Sequence, residues 1–319
     1  MLQDLKTNFF KYNIPKNLEG ERVKFALYND KEKRFAFSTI VSSAKDAILI
    51  NYKELAPHFQ YKYKLQIMKQ NKWENHTKYK YIKVDFEDEN AIKYRLFLNP
   101  DSEYLMVGFQ GNGLKPSYNY TGSLAELEVN RLYILDDYTD ETPNNGAYYL
   151  GENRILNYMD NVHSLIEKIR VRLGILKNNV ICFGTSKGGF AAILYSLKFN
   201  YPNCVVGSPT IYLGNSLILE NSSTRVYADF ISGGRKEDDI EWLNNLIPNS
   251  IDFSKTCTIK ILIGRGERRY KNHILPFVKS LEEDPNINVC LDVKDFEQHS
   301  LIGSLFPPFA INQVKSIIS

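Results

Sequence analysis

The sequence predicts an α/β protein: a three-layer, mostly parallel sheet over residues 101–319, preceded by a small β-rich domain over residues 1–100. Two observations carry this. Beyond Pro100, apolar runs of strand length alternate with stretches whose apolar residues recur at helical spacing, the pattern of parallel β-α-β units. Before it, short alternating runs are separated by Asn-Asp, Asp-Glu-Asn and Asn-Pro breaks, the pattern of antiparallel strands. With 319 residues, 43% of them hydrophobic and 24% charged, the chain can bury one large core and a smaller one as an ordinary globular protein.

The β-rich region is read from RVKFALYND, RFAFSTIV, AILINYKEL, YKYKLQIMK, KYKYIKVDF and KYRLFLN, and closes near Asn99-Pro100-Asp101 as a sandwich or half-barrel. It contains no catalytic constellation. The second region opens with the strand EYLMVGF (Glu103 to Phe109), then the strand RLYILDD (Arg131 to Asp137) and a long helix from Asn153 that Gly174 stops. There follow the strand NVICFG, a helix after Ser186, CVVGSPT, the strand TIKILIG (Thr258 to Gly264), a helix through HILPFVKSLEE, the strand INVCLDV and a closing helix through INQVKSIIS.

Charge and cysteine content exclude several classes. Forty basic against 37 acidic residues leave a formal net charge of +3 without a basic arm, which argues against a nucleic-acid partner. Cys182, Cys204, Cys257 and Cys290 are widely spaced without a C-x-x-C pair and read as reduced core residues, as in a cytosolic protein. The opening MLQDLKTNFFKYNIPK lacks the order of a secretory signal, and no apolar run reaches membrane-spanning length, so a cytoplasmic location without a transmembrane segment is expected. The histidines and cysteines lack metal-ligand spacing, so no metal is expected.

The chemistry gathers at VICFGTSKGGFAAILYSLKF (Val180 to Phe199), where a strand turns sharply into a helix with Ser186 at the apex of G-x-S-x-G. Gly184 and Gly188 belong there because a β-carbon would collide with the neighbouring strand and helix, and the turn lifts the serine hydroxyl above the sheet. The alternative is a tight turn in which Ser186 merely caps the helix. A serine hydroxyl needs a base. His58 and His76 lie in the β-rich region, His163 inside the long helix and His273 near the start of another; His299, in DFEQHSLIG after the strand INVCLDV, stands where such a chain places its base. The carboxylate that would orient it is Glu267, the sole acid of the loop Gly264-Arg265-Gly266-Glu267-Arg268-Arg269, with Asp292 and Asp295 as rivals.

Two amide donors are needed for an oxyanion. One is the backbone N–H of Lys187; the other falls in the loop after Phe109, as Gln110 with Gly111 in reserve, unless that glycine-rich loop is only a turn. A cation at Lys187 opposes the macrodipole of its helix by a few tenths of a kcal/mol. It reads either as a solvated lysine or as a contact to an anionic donor, a role open also to Arg265, Arg268, Arg269 and Lys271.

The elbow F-G-T-S-K-G-G, the strand and loop L-M-V-G-F-Q-G, the helix N-Y-M-D-N-V-H-S-L-I-E-K-I and the late histidine together resemble α/β-hydrolase-fold proteins of bacterial surface-polysaccharide loci. That group includes capsule O-acetyltransferases and the acetyltransferase component of accessory secretion systems. The resemblance runs from Ser102 to Ser319 and excludes the first hundred residues. It implies a triad of Ser186, Glu267 and His299, with Glu where many relatives have Asp. It further implies acetyl-CoA as co-substrate with no resident cofactor, a polysaccharide or glycan hydroxyl as acceptor, other capsule-biosynthesis proteins as partners, and a place in the cytoplasm or at the inner face of the membrane. An esterase or deacetylase, and a non-catalytic scaffold of a polysaccharide or secretion machine, remain as alternatives.

Overall fold

A computed structural model describes residues 9–18, 20–29, 34–41, 47–51, 61–81, 86–99, 101–281 and 285–319. By its internal contacts the chain forms two units, Met1–Glu89 with Arg95–Pro100, and Asn90–Tyr94 with Asp101–Ser319.

In the first unit, period-two alternation becomes antiparallel strands: β1 (Phe9–Asn13), β2 (Val23–Asn29), β3 (Arg34–Val41), β4 (Ala47–Asn51), β5 (Tyr61–Lys69), β6 (Lys72–Asn75) and β7 (Lys80–Tyr81). The sheet runs β3-β2-β5-β6 with β7 also on β5, and β1 pairs β4 as a separate ribbon. The register Phe25↔Leu65 and Leu27↔Tyr63 sends Val23, Phe25, Leu27 and Leu65 to one face, where they bury against Ile14, Leu18 and Ile48. The other face carries Lys62 over the rings of Tyr28 and Tyr79, 5.1 and 5.0 Å from their centroids. His76 follows β6, and His58 lies outside the described residues. Two short strands, β8 (Phe86–Glu87) and β9 (Lys93–Phe97), come next along the chain.

The second unit is built on β10 (Leu105–Phe109), β11 (Asn130–Ile134), β12 (Val180–Thr185), β13 (Asn203–Gly207), β14 (Cys257–Gly264) and β15 (Ile287–Lys294), in the order β15-β14-β13-β12-β10-β11. Every neighbouring pair among these six is parallel. Strands β10 to β13 are almost wholly buried on both faces and, apart from Asn130 and Arg131 at the start of β11, largely apolar, which is why they read as continuous runs rather than alternating ones. The helices are α1 (Asn157–Arg172), α2 (Lys187–Phe199), α3 (Arg225–Ser232), α4 (Glu237–Asn244), α5 (Leu275–Ser280) and α6 (Ile302–Ile318). Helix α2 packs along β10, β12 and β13, and α6 along β12, β13 and β14. The chain leaves β10 toward β11, then returns past it to β12 and continues outward. That reversal puts a topological switch point at the carboxyl ends of β10 and β12, the place where open α/β sheets commonly bind their ligands.

Several elements differ from expectation. Helix α1 begins at Asn157 rather than Asn153, because Asn153 and Arg154 adopt positive φ (49° and 64°) in a tight turn bridged from Glu152 to Ile155. Helix α6 starts well before INQVKSIIS and runs through Pro307 and Pro308; burial of Phe306, Phe309 and Ala310 outweighs the lost backbone bonds. The excursion between β13 and β14, with α3 and α4, was not anticipated. Cys182, Cys204 and Cys257 are buried, but Cys290 is exposed, a correction to its core reading: β15 is an edge strand and alternate side chains face solvent. Among the described residues no helix is long and apolar enough to cross a membrane.

Candidate active site

All the residues nominated for chemistry follow the carboxyl ends of these strands: Gln110 and Gly111 after β10, Ser186 after β12, Glu267 after β14 and His299 after β15. Because Phe109 pairs with Gly184, the loops carrying Gln110 and Ser186 start side by side.

Ser186 sits at φ 55°, ψ −115°, a sparsely populated conformation for a residue with a side chain. The fold imposes it. A β-carbon on Gly184 would lie 2.5 Å from the Gly188 carbonyl oxygen and one on Gly188 only 2.2 Å from that of Phe109, so strand, turn and helix close together only with glycine at both places. The Ser186 hydroxyl makes no capping bond to α2, which removes the reading as a simple helix cap, and the residue is half-buried rather than enclosed. Its backbone N–H donates to the Gly207 carbonyl at 2.9 Å, fixing the elbow to the end of β13.

His299 Nδ1 lies 2.7 Å from Glu267 Oε2. The carboxylate is buried, 3% exposed in its side chain, against 39% for the imidazole. Its other oxygen, Oε1, accepts from the Ser208 hydroxyl and from the Gly264 N–H at 3.2 Å. Burial pushes the Glu267 pKa up, but the hydrogen bonds from His299 and Ser208 outweigh it and hold the group below its ordinary value. Glu267 is therefore an anion with both oxygens committed, and it can hold the imidazole with its proton on Nδ1 and a lone pair on Nε2. Ser208 gave no signal in the sequence, lying far from Glu267 along the chain. Ser208→Ala is expected to lower stability by about 1.5–3 kcal/mol, the loss of a hydrogen bond to a buried charge, read as a shift of the urea midpoint. The rival acids lie elsewhere: Asp292 pairs with Lys294 at 2.9 Å, and the exposed Asp295 with Arg265 at 3.3 Å.

Two of the other histidines, His163 and His273, have structural partners. His163 stacks on Phe199 at 3.7 Å and meets the Tyr201 hydroxyl at 3.0 Å. His273 is fully buried; Nδ1 accepts from the Tyr212 N–H at 3.1 Å, and burial pushes its pKa down to about 4, so it is neutral near pH 7.

The amides of the β10 loop are already engaged. Gln110 N–H donates to the buried Tyr149 hydroxyl at 2.6 Å, and that hydroxyl donates onward to the Ile134 carbonyl at 2.8 Å. Gly111 N–H donates to Asn119 Oδ1 at 2.7 Å. Tyr149 is locked in the core, whereas Asn119 is half-buried on a loop. Gly111 is thus the amide that an incoming oxygen could claim, and a β-carbon on it would lie 3.3 Å from the Thr185 carbonyl next to the elbow. Lys187 N–H, at the first position of α2, has no intrahelical acceptor.

The Lys187 side chain corrects the expectation of a solvated lysine. It is 1% exposed, and Nζ forms a fully buried ion pair with Asp136 Oδ2 at 2.9 Å, beside the rings of Tyr148 and Tyr149. Asp136 also accepts from the Ala147 N–H at 3.0 Å. Buried charge requires such a partner, which the sequence did not reveal. Arg268 pairs with Glu220 at 3.2 Å. Arg269 lies against His299, Nη1 standing 2.7 Å from Nδ1 and 2.6 Å from Nε2.

No family model matches the chain, and no curated protein matches it. Solved structures do. The capsule O-acetyltransferase of Neisseria meningitidis serogroup A superposes with a TM-score of 0.63 at 17% identity, over 73% of this chain and 94% of that one. The same enzyme as a mutant in complex with CoA gives 0.60 at 18%, over 74% and 94%. An S-formylglutathione hydrolase from Agrobacterium tumefaciens gives 0.56 at 13%, over 79% and 97%. At these identities the likeness is one of fold, that of α/β-hydrolase-type structures.

Proposed function

We propose that this chain is a serine-dependent O-acyltransferase that moves an acetyl group from acetyl-CoA to a hydroxyl of a surface polysaccharide through an acyl-enzyme on Ser186. The observation that carries the reading is the combination of a strained, uncapped serine at the sheet's reversal point with a buried carboxylate and imidazole on the loops after β14 and β15. In this reading His299 takes the Ser186 proton as the hydroxyl attacks the thioester carbonyl. The amides of Lys187 and Gly111 receive the oxyanion, Asn119 giving way, and Gln110 stays bonded to Tyr149. Thiolate leaves with the proton from His299, the imidazole then deprotonates the acceptor hydroxyl as it attacks the acyl carbonyl, and the Ser186 Oγ–acyl bond breaks with that proton returned to Oγ. The fold shared with a capsule O-acetyltransferase that is seen with CoA supports donor and acceptor class. We also assign residues 1–100 to an accessory domain and place no catalytic residue in it.

A second reading, an ester hydrolase, has one observation in its favour: both Ser186 and His299 are partly open to solvent, and an acyl-enzyme reached by water hydrolyses. Intact-protein mass spectrometry after brief exposure to acetyl-CoA tests the main reading. Wild type is expected to gain an acetyl adduct of about 42 Da, as acylation of a serine requires, and Ser186→Ala is expected to gain none. An adduct on both proteins, or on neither, would sink the assignment of Ser186. Saturating glycan that fails to suppress hydrolysis of the adduct would favour the hydrolase.

A further inference from the structure

Of the cationic side chains nominated for the site, Lys271 is exposed to solvent and several others are neutralised by carboxylates: Lys187 by Asp136, Arg265 by Asp295 and Arg268 by Glu220. Arg269 is not. Among the described residues no carboxylate is in ion-pair contact with it, although it is half-buried and desolvation lowers its pKa below the usual arginine value. Its hydrogen-bond partner is the His299 imidazole, whose Nδ1 and Nε2 its Nη1 meets at 2.7 and 2.6 Å. With the Nδ1 proton directed at Glu267, Nε2 is the acceptor and the guanidinium the donor.

That contact conflicts with the chemistry proposed for the site, because Nε2 is the nitrogen that must take the Ser186 proton, and Ser186 makes no hydrogen bond to it here. Protonation would also set an imidazolium against a guanidinium. Arg269 must therefore leave His299 for each acylation, yet a desolvated guanidinium leaves only for a better acceptor. Among the described residues the nearby carboxylates Glu267 and Glu220 are already engaged. Glu267 has both oxygens engaged, by Ser208 and Gly264 on one side and His299 on the other. Glu220 is held by Arg268 and by Asn272 at 2.7 Å.

We infer that Arg269 is a specificity-determining residue that masks the base until a phosphoryl or carboxylate group of the substrate draws it away, so that an anionic substrate unmasks His299. The planar fork of arginine suits such oxyanions, which it grips with two parallel hydrogen bonds. The inference rests on the serine–histidine reading above and adds the chemical class of substrate that the site accepts: phosphoryl or carboxylate oxygens, carried by the acyl donor or by an acidic acceptor.

The test follows labelling of Ser186 by a neutral fluorophosphonate in wild type, Arg269→Gln and Arg269→Lys, with and without inorganic pyrophosphate. Pyrophosphate is expected to accelerate labelling of wild type several-fold, while Arg269→Gln labels faster than wild type from the outset and ignores the anion. Arg269→Lys, a point charge with a weaker grip, is expected to fall between them, and melting curves establish that each variant is folded. A second arm compares acetyl-CoA with the uncharged thioester S-acetyl-N-acetylcysteamine. If the donor carries the anion, Arg269→Gln loses at least tenfold in kcat/KM for acetyl-CoA, mostly through KM, and none for the neutral thioester. If the acceptor carries it, the loss appears only in transfer to acidic against neutral glycans. Wild type indifferent to pyrophosphate, or Arg269→Gln labelled more slowly than wild type, overturns the inference while leaving Ser186 as nucleophile. Absence of labelling in every folded protein removes the serine reading and this inference with it.

Discussion

Glu267→Gln is expected to slow acylation of Ser186 by about three to four orders of magnitude, measured as the rate of adduct growth at saturating acetyl-CoA. The reason is tautomeric as well as electrostatic. The carboxylate accepts from Nδ1 and so leaves Nε2 without a proton. A glutamine in the same place can turn its NH2 toward the ring, which favours the tautomer with the proton on Nε2, and that imidazole cannot act as base. It also removes the negative charge that would stabilise the imidazolium. Ser208 and Gly264, both donors, hold one amide oxygen and force the NH2 toward His299, so the wrong tautomer is the favoured one. Glu267→Asp keeps the charge and shortens the reach, and should recover part of the rate. A rate within tenfold of wild type for Glu267→Gln would remove Glu267 from the mechanism.

The same carboxylate makes a pH prediction. Its folded-state pKa lies below the ordinary value of 4.5, so its bonds stabilise the native state at neutral pH. That contribution is fully present above the unfolded value and is lost as pH falls through the folded one. Wild type and Glu267→Gln should therefore differ in melting temperature at pH 7, and the difference should fade as pH drops below the ordinary carboxylate value and vanish once it is below the lowered folded-state one, where the carboxyl is protonated in both chain states. A difference that persists at low pH would trace the effect to packing rather than charge.

What could be read from the sequence follows the range of the interactions involved. The parallel strands were legible because strands buried on both faces are apolar throughout, as in VICFG and LMVGF, and the elbow because its G-x-S-x-G spacing is local, although the demand on Gly188 comes from the Phe109 carbonyl of β10. The slots of Glu267 and His299 were legible as loop order alone; their 2.7 Å separation is a product of the fold. Ser208 against Glu267, Arg269 against His299 and Asp136 against Lys187 join residues from different loops, and nothing local marks Ser208 or Asp136 as partners. Helices α3 and α4 escaped because each has only eight residues, too few for a helical period to stand out among the asparagines and serines around them. The choice of Gln110 over Gly111 could not be made from sequence, since it turns on Tyr149 reaching the Gln110 amide from across the core.

Lys187→Met is expected to destabilise the second unit by about 3–5 kcal/mol, seen as a large drop in urea midpoint, because Asp136 would be left as a buried charge without its counter-ion. Asp136→Asn should cost a similar amount for the mirror-image reason. The double variant Lys187→Met/Asp136→Asn should be far more stable than the sum of the two losses, since removing both charges leaves only a smaller defect in packing and hydrogen bonding. This cycle also decides what the lysine of S-K-G-G is for. A lysine that gripped the phosphates of an acyl donor would raise KM for acetyl-CoA when replaced, with or without Asp136. A lysine that ties the first turn of α2 to the end of β11 would instead lose stability when replaced alone, and the double variant would regain it with KM for acetyl-CoA little changed. The structure favours the second outcome: Nζ and Asp136 Oδ2 are both without solvent contact, and an anion from outside could reach the ammonium only by displacing the carboxylate and entering the space between Tyr148 and Tyr149. On that view the lysine holds the elbow rigid from beneath, and recognition of substrate charge falls to Arg269, which lies against His299 with no carboxylate in ion-pair contact among the described residues.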